Sequence, residues 1–387
     1  MKRRKTRSII SLLVLSAALA MFSACTKSVT AAVPSASPIP SATDKPDTFV
    51  LELEPDATSP AAMLSTVAPL PTATPTPAPA ATPVPADPLH PAENVYTIAW
   101  LSDSQHYSNQ FPETFTAQTR FLSDNAAALR IAYIVHTGDL VHNRDKEEQW
   151  QNASSSMKLI EHIPNGVLAG NHDVDVSGSG NDYSMFKKYF GEKRYKSKPW
   201  YGGSFDNNRG HYDLIEAGHT RYIFVYLGYN VDSAGMKWVN QTLAANRDRV
   251  GVLCVHGYFD SDLSLTAQGE QLYKNVVAEN PNLYMVLCGH RYNCACVPVS
   301  FDDDGDGTPE RTVLQMIQNY QAAGPVGGDG YLRLLEVDED AGLIRHYSYS
   351  PVWDDFVYFD TEEHRSENHA FSPNGEQGEI AIPWPLG

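Results

Sequence analysis

The sequence predicts an α/β fold in which two β-sheets pack as a sandwich flanked by helices. Three observations carry that expectation. From Asn94 onward, short apolar, β-rich runs alternate with amphipathic stretches of helical period. From Thr312 to Tyr349 further strand-like runs follow with no helix between them, so strands outnumber what one alternating layer would use. The 387 residues are 42% hydrophobic, enough to bury a sizeable core.

The chain opens with a basic cluster (Lys2, Arg3, Arg4, Lys5, Arg7), an apolar run from Ile9 to Ala20 and small residues before Cys25. That order predicts a secretory signal over residues 1–24, because the run is too short to span a bilayer comfortably. Phe22-Ser23-Ala24-Cys25 resembles a bacterial lipobox, which makes Cys25 the expected site of lipidation and the membrane the expected partner through that anchor. Cleavage near the alanines without lipidation would release a soluble secreted protein instead. Residues 26–92 are dominated by Pro, Ala, Ser and Thr, and such a segment cannot bury enough apolar surface to repay its ordering entropy. It is expected to be an extended tether.

The folded part is expected over residues 93–352. Its predicted strands are Val95–Leu101, Ile131–Val135, Gly166–Ala169, Arg221–Leu227, Val250–Val255 and Leu283–Cys288. Two helical faces stand out, one carrying Phe115, Leu122, Ala126 and Leu129 and the other Trp150, Ala153, Met157 and Ile160. Residues 353–387 form a C-terminal extension expected to pack partly on the domain. The formal charge of −17 argues against a nucleic-acid groove, and loss of the leader would make it five units more negative. An anionic substrate would be repelled at long range unless bound cations reversed the sign locally. The cysteines beyond the leader are too few for a stapled scaffold: Cys254 and Cys288 are expected as buried thiols, and the state of Cys294 and Cys296 is left open.

Nearly every predicted strand runs into a polar group able to bind metal. Leu101 leads to Asp103 and Gln105. The Ile131 strand leads to Gly138-Asp139 and His142, the Val167 strand to Gly170-Asn171-His172-Asp173, the Val250 strand to His256, and the Leu283 strand to Gly289-His290. Groups just past the carboxyl ends of α/β strands converge on one crevice. Carboxylate, imidazole and a neutral amide oxygen gathered there make a metal-binding set.

In order and spacing, G-D, G-N-H-D, a lone His and G-H resemble the calcineurin-like metallophosphoesterases across roughly residues 94–350, and Trp100-Leu-Ser-Asp-Ser-Gln resembles their exported bacterial branch. The resemblance implies two divalent or mixed-valence ions (Mn, Fe or Zn). Asp139 would bridge them, Asn171, His256 and His290 would complete the second, and Asp103 would serve the first. His172 would protonate or steady the leaving oxygen. The implied activity is hydrolysis of a phosphomonoester or phosphodiester, from a small or cell-envelope substrate, by a monomer outside the cytoplasm. The rival reading is a non-catalytic surface-binding protein on the same fold.

The first metal position departs from the pattern: Gln105 stands for one expected imidazole and Tyr292 for another. His142 is the expected replacement ligand, because purple acid phosphatases of the superfamily place a tyrosine there; a His that only hydrogen-bonds a ligand, and a Tyr292 phenolate, stay open as alternatives. His106 is expected at the rim, on the premise that the strand geometry continues to it. His136 is expected in the core, and no role is assigned to His211 or His219. Arg291 is open between a phosphate contact and solvent. Asp302 to Gly307 opens like a calcium loop, but Val313 stands where the closing Glu belongs, so a polar turn is the expectation. The Gly324–Gly330 stretch could approach the crevice or simply reverse the chain.

Overall fold

The computed structural model describes residues 89, 91–92, 94–177, 181–321, 323–324, 327–360 and 375–386. The expected signal, Cys25 and nearly all of the tether lie outside them. The described residues all fall in one unit, Pro69–Gly387.

Among the described residues fourteen strands are formed: β1 (Val95–Leu101), β2 (Ile131–His136), β3 (Asn165–Val167), β4 (Tyr201–Phe205), β5 (Gly210–Ala217), β6 (Thr220–Leu227), β7 (Val250–Val255), β8 (Leu283–Cys288), β9 (Asn293–Phe301), β10 (Arg311–Asn319), β11 (Leu332–Asp338), β12 (Leu343–Ser350), β13 (Asp355–Phe356) and β14 (Gly378–Ala381). The helices are α1 (Gln105–Gln110), α2 (Pro112–Asp124), α3 (Glu147–Lys158), α4 (Ser184–Phe190), α5 (Glu192–Tyr195), α6 (Ser233–Ala245) and α7 (Ala267–Leu272).

The strands make two mixed seven-stranded sheets. The first runs β13-β12-β11-β1-β2-β3 with β14 also on β12, and the second runs β4-β5-β6-β7-β8-β10-β9. In the first, β1, β2 and β3 are parallel; in the second, β6, β7, β8 and β10 are. The α/β two-sheet sandwich expected from the sequence is the observed fold.

Alternation along the strands explains the layering, since successive side chains point to opposite faces. Ile98, Trp100, Tyr133 and Val135 face Tyr222, Phe224, Tyr226, Val252, Cys254, Met285 and Leu287 across the gap between the sheets. The intervening Ala99, Leu101 and Ile134 face outward onto Phe115 and Leu122 of α2 and Trp150, Ala153 and Met157 of α3. Ile223, Val225, Leu253 and Val255 likewise meet Val239 and Leu243 of α6 and Leu272 of α7. Strands covered on both faces read as continuous apolar runs, which is why β1, β7 and β8 were visible in the sequence. The predicted helices end earlier than their apolar faces: Ala126 and Ile160 continue the packing from turns beyond α2 and α3, and Leu129 is buried in the turn after Ala126.

At the C-terminal end, Glu376 is buried and accepts from the Tyr320 hydroxyl (3.0 Å) and the Tyr358 and Phe359 amides (2.7 and 2.9 Å). All four cysteines in the described residues are free and buried. Cys294 is enclosed by the Tyr320 hydroxyl (3.1 Å) and the Arg333 guanidinium (3.3 Å).

Candidate metal centre

Both sheets deliver their parallel strands to the same end of the sandwich, and the loops beyond those ends carry the chemistry. Asp103 follows β1, Asp139 follows β2, and Asn171 and His172 follow β3; His256 and His290 follow β7 and β8 of the other sheet. Backbone hydrogen bonds join these loops, and one of them, from Tyr229 to Ala169, crosses between the two sheets. The Asp103 amide donates to the Gly138 carbonyl (3.0 Å), the Tyr229 amide to Ala169 (2.8 Å) and the Gly289 amide to His256 (3.1 Å). Asp103, Asp139 and His290 all have left-handed backbones, with φ of 50°, 56° and 74°. Non-glycine residues adopt that conformation at a cost, and it concentrates at functional sites.

One oxygen or ring nitrogen from each of Asp139, His256 and His290 lies within 4.8 Å of the other two. The remaining polar groups close around them. The His256 Nε2 is 3.0 Å from Asn171 Oδ1 and 3.3 Å from Asp139 Oδ2. Its Nδ1 is 2.8 Å from the Thr137 carbonyl oxygen, to which it donates, so Nε2 is the atom turned to the cluster. Gln105 Nε2 donates to Asp139 Oδ2 (3.0 Å), and the His290 amide donates to Asp103 (3.1 and 3.2 Å). The Tyr229 ring packs against both His256 and His290, at 6.0 and 5.9 Å.

Burial and the charges beside each group together set the protonation. Burial would lower His256, but the Asp139 carboxylate beside it and Asp103 nearby raise it to about 9. Burial would raise Asp139, and its pairing with His256 instead holds it low. Asp103 is pushed up to about 7 by burial, with Asp139 adding to the rise and His256 opposing it. His290 falls to about 4 through burial and the positive His256. The centre thus holds a buried imidazolium against a carboxylate, the arrangement a cation would displace. Gln105 Oε1, His142 Nδ1 and His290 Nδ1 are buried atoms with no hydrogen-bond partner. Buried acceptors of that kind are costly unless something binds them. They suit a metal, so the donor set fits the group that it suggests.

Residues 96–294 match the family model described as calcineurin-like phosphoesterase. The chain belongs to that family. It is 42% identical over 280 residues to the uncharacterized protein YvnB of Bacillus subtilis (strain 168), an alignment covering 72% of this chain; the chain spans about a fifth (22%) of that relative's length. Among solved structures it is similar to the purple acid phosphatase PPD1 from yellow lupin (Lupinus luteus) seeds, with 13% identity, 69% of this chain and 54% of that one covered, and a TM-score of 0.45. The protein TT1561 of Thermus thermophilus gives 10% identity, 64% and 96% coverage and a TM-score of 0.38.

Within this calcineurin-like phosphoesterase the other residues singled out in the sequence fall as follows. His172 donates its amide to Asp139 Oδ1 and its ring Nδ1–H to the His142 carbonyl, both at 2.9 Å, leaving Nε2 free. The His142 ring stacks on that of His172, centroids 5.1 Å apart. Tyr292 is 41% exposed, which gives a phenolate ligand no support. His136 is fully buried between Ser104 Oγ (3.0 Å) and the Gly138 amide (3.2 Å), and burial drives it down to about 3: a neutral core histidine. Arg291 reaches Asp260 at 3.3 Å. His106 corrects the premise of a continued strand: Gln105 begins α1, so a 3.6-residue period replaces the alternation, and His106 stacks on His142 at 5.3 Å.

Two contributors were not assigned from the sequence. Asp173 closes the quoted G-N-H-D, and its buried carboxylate accepts from the Leu140 (2.9 Å), Val141 (3.0 Å) and Gly170 (2.8 Å) amides, tying the Asp139 loop to the Asn171 loop. Tyr229 stands two residues past β6, the strand-end position that marked the others. Beside His172 opens a cavity of ≈ 680 Å³ lined by His142, Arg144, Asn171, Asp175, Asp182 and Met185, among others. Arg144 is paired there with Asp175 at 2.9 Å. The Asp302, Asp304, Asp306 and Glu310 carboxylates also approach within 4.8 Å of one another, but they are exposed. Asp302 accepts from the Gly305, Asp306 and Gly307 amides, as a polar turn between strands does.

Proposed function

We propose that this protein is an exported, lipid-anchored, monomeric phosphoesterase that hydrolyses a phosphomonoester or phosphodiester at a two-cation centre. The observation that carries the reading is the convergence of Asp139, His256 and His290 from two sheets onto one point, beside a cavity that His172 lines. Asn171, His256 and His290 with Asp139 would hold the second cation. Asp103, Gln105 through Oε1 and His142 through Nδ1 would join Asp139 on the first, with Mn, Fe or Zn as the candidates. Bound divalent cations supply charge neutralisation at the phosphoryl oxygens and a more acidic water.

The chain's own groups do the rest. Thr137 and Asp103 orient the ligand loops through His256 Nδ1–H and the His290 amide. Attack by water forms a new P–O bond as the ester P–O bond breaks, and the leaving oxygen takes the proton of His172 Nε2–H. A donating His172 carries hydrogen on both ring nitrogens, and because the His142 carbonyl holds Nδ1–H it is the Nε2 proton that leaves, with the Nδ1–H tautomer remaining. The proton lost by the water returns the donor to its starting state through solvent. The export and anchor rest on the leader and Cys25 in the sequence alone.

The test is turnover of p-nitrophenyl phosphate and its bis ester with added manganese, zinc or iron, beside metal analysis of the purified protein. Absence of turnover with every metal, together with binding to wall polymer, would favour the surface-binding reading, to which Gln105 and the exposed Tyr292 lend their support.

A further inference from the structure

His106, His142 and His172 form a column beside the ligand set, although each comes from a different element. The His142 ring is sandwiched, 5.3 Å from His106 and 5.1 Å from His172, with both pairs inclined by 25°. One end of the column is fixed by the two hydrogen bonds of His172, to Asp139 and to the His142 carbonyl. The other end is closed by the glycine turn. Gly327, at φ 71°, lies so close that a Cβ there would sit 2.7 Å from the His106 Cβ. Three residues on, the Gly330 amide donates to the hydroxyl of Tyr107, the neighbour of His106 in α1 (3.0 Å). A histidine at the edge of a cavity has two side-chain torsions to lose, and a flat ring against each face removes most of that freedom.

We propose that His106 is a positioning residue, which stacks on His142 and thereby holds the His172 ring with Nε2 available to the leaving group, itself kept in place by the turn at Gly327. The inference rests on the reading of His172 as proton donor. His106 makes no contact with substrate in this scheme; its effect passes through two imidazole faces.

The experiment compares the parent with His106→Ala, His106→Phe and Gly327→Ala on p-nitrophenyl phosphate, a good leaving group, and phenyl phosphate, a poor one. A misplaced acid penalises the poor leaving group, so His106→Ala is expected to lower kcat for phenyl phosphate about tenfold more than for the nitrophenyl ester, a fraction of what general acid catalysis supplies. His106→Phe keeps a flat ring and is expected to restore the ratio, whereas Gly327→Ala should reproduce the alanine result. A second readout needs neither metal nor turnover. The His172 Nδ1–H bonded to the His142 carbonyl is expected as a protected ring proton by NMR of the metal-free protein, exchanging faster in His106→Ala and Gly327→Ala than in the parent or His106→Phe. Equal losses on both esters, or an unchanged ratio and unchanged exchange, overturn the proposal. A parent that hydrolyses neither monoester, nor bis(p-nitrophenyl) phosphate, defeats the hydrolytic reading, and the exchange rates then decide the column by themselves.

Discussion

The Nε2 of His256 lies 3.3 Å from Oδ2 of Asp139, and both side chains are sealed from solvent. Without a cation, a proton on His256 is what balances the carboxylate. The folded-state value near 9 stands above the ordinary 6.5 of a histidine, so this pair stabilises the metal-free fold fully below about pH 6.5 and loses that contribution as pH rises through 9. The metal-free protein should therefore lose up to about 3 kcal/mol between those limits. Added metal should remove the dependence, because the cation takes the place of the proton. Urea denaturation with and without chelator measures it; identical profiles would sink the assignment. His256→Ala and Asp139→Asn should each weaken metal binding by more than about 100-fold, beyond what a group outside the ligand shell contributes.

His142 Nδ1 is buried and unpartnered. With His142 as a ligand of the first cation, His142→Ala should bind one equivalent of metal where the parent binds two. Metal titration followed by elemental analysis decides this, and retention of both equivalents would remove His142 from the ligand set.

Gly170 is pressed against the Asp139 carboxylate: a Cβ there would lie 2.0 Å from Asp139 Oδ1 and 2.4 Å from its amide nitrogen. Neither is the free end of a flexible chain. Gly170→Ala should displace Asp139, cost about 1–3 kcal/mol of stability and abolish tight metal binding while the circular dichroism of the fold persists. An alanine variant with parental metal affinity would contradict the geometry.

Asp213 sits between the sheets, accepting from the Tyr133 hydroxyl at 2.5 Å, while its Oδ1 has no partner. Burial raises it well above its usual 3.8. A raised carboxyl stabilises the fold below that usual value and withdraws the contribution as pH climbs toward the folded value. Asp213→Asn keeps an acceptor for Tyr133 and has no charge to bury, so its melting temperature should exceed the parent's at pH 8 by the equivalent of about 1–3 kcal/mol and match it near pH 4. The same difference at both pH values would rule out ionisation as the cause.

Much of the fold was legible because it is locally encoded. β1, β7 and β8 are buried on both faces and appear as apolar runs with the predicted limits. β4 and β9 were not anticipated: Tyr201–Phe205 carries two glycines, and Asn293–Phe301 a proline, so their pairing comes from neighbouring strands rather than from composition. The short β14 is likewise defined by its partner β12.

The sequence by itself determined which residues stand just beyond strand ends, and with them the candidate ligands Asp103, Asp139, Asn171, His256 and His290, because strand length and the turn that follows are properties of contiguous residues. Only the tertiary structure decided that two sheets share those ligands, that Gln105 opens a helix and turns His106 onto His142, and that Asp173 clamps two loops through three amides. Those relations join positions tens to hundreds of residues apart. They exist only after long-range strand pairing and core packing have set the distances, and no local pattern records them.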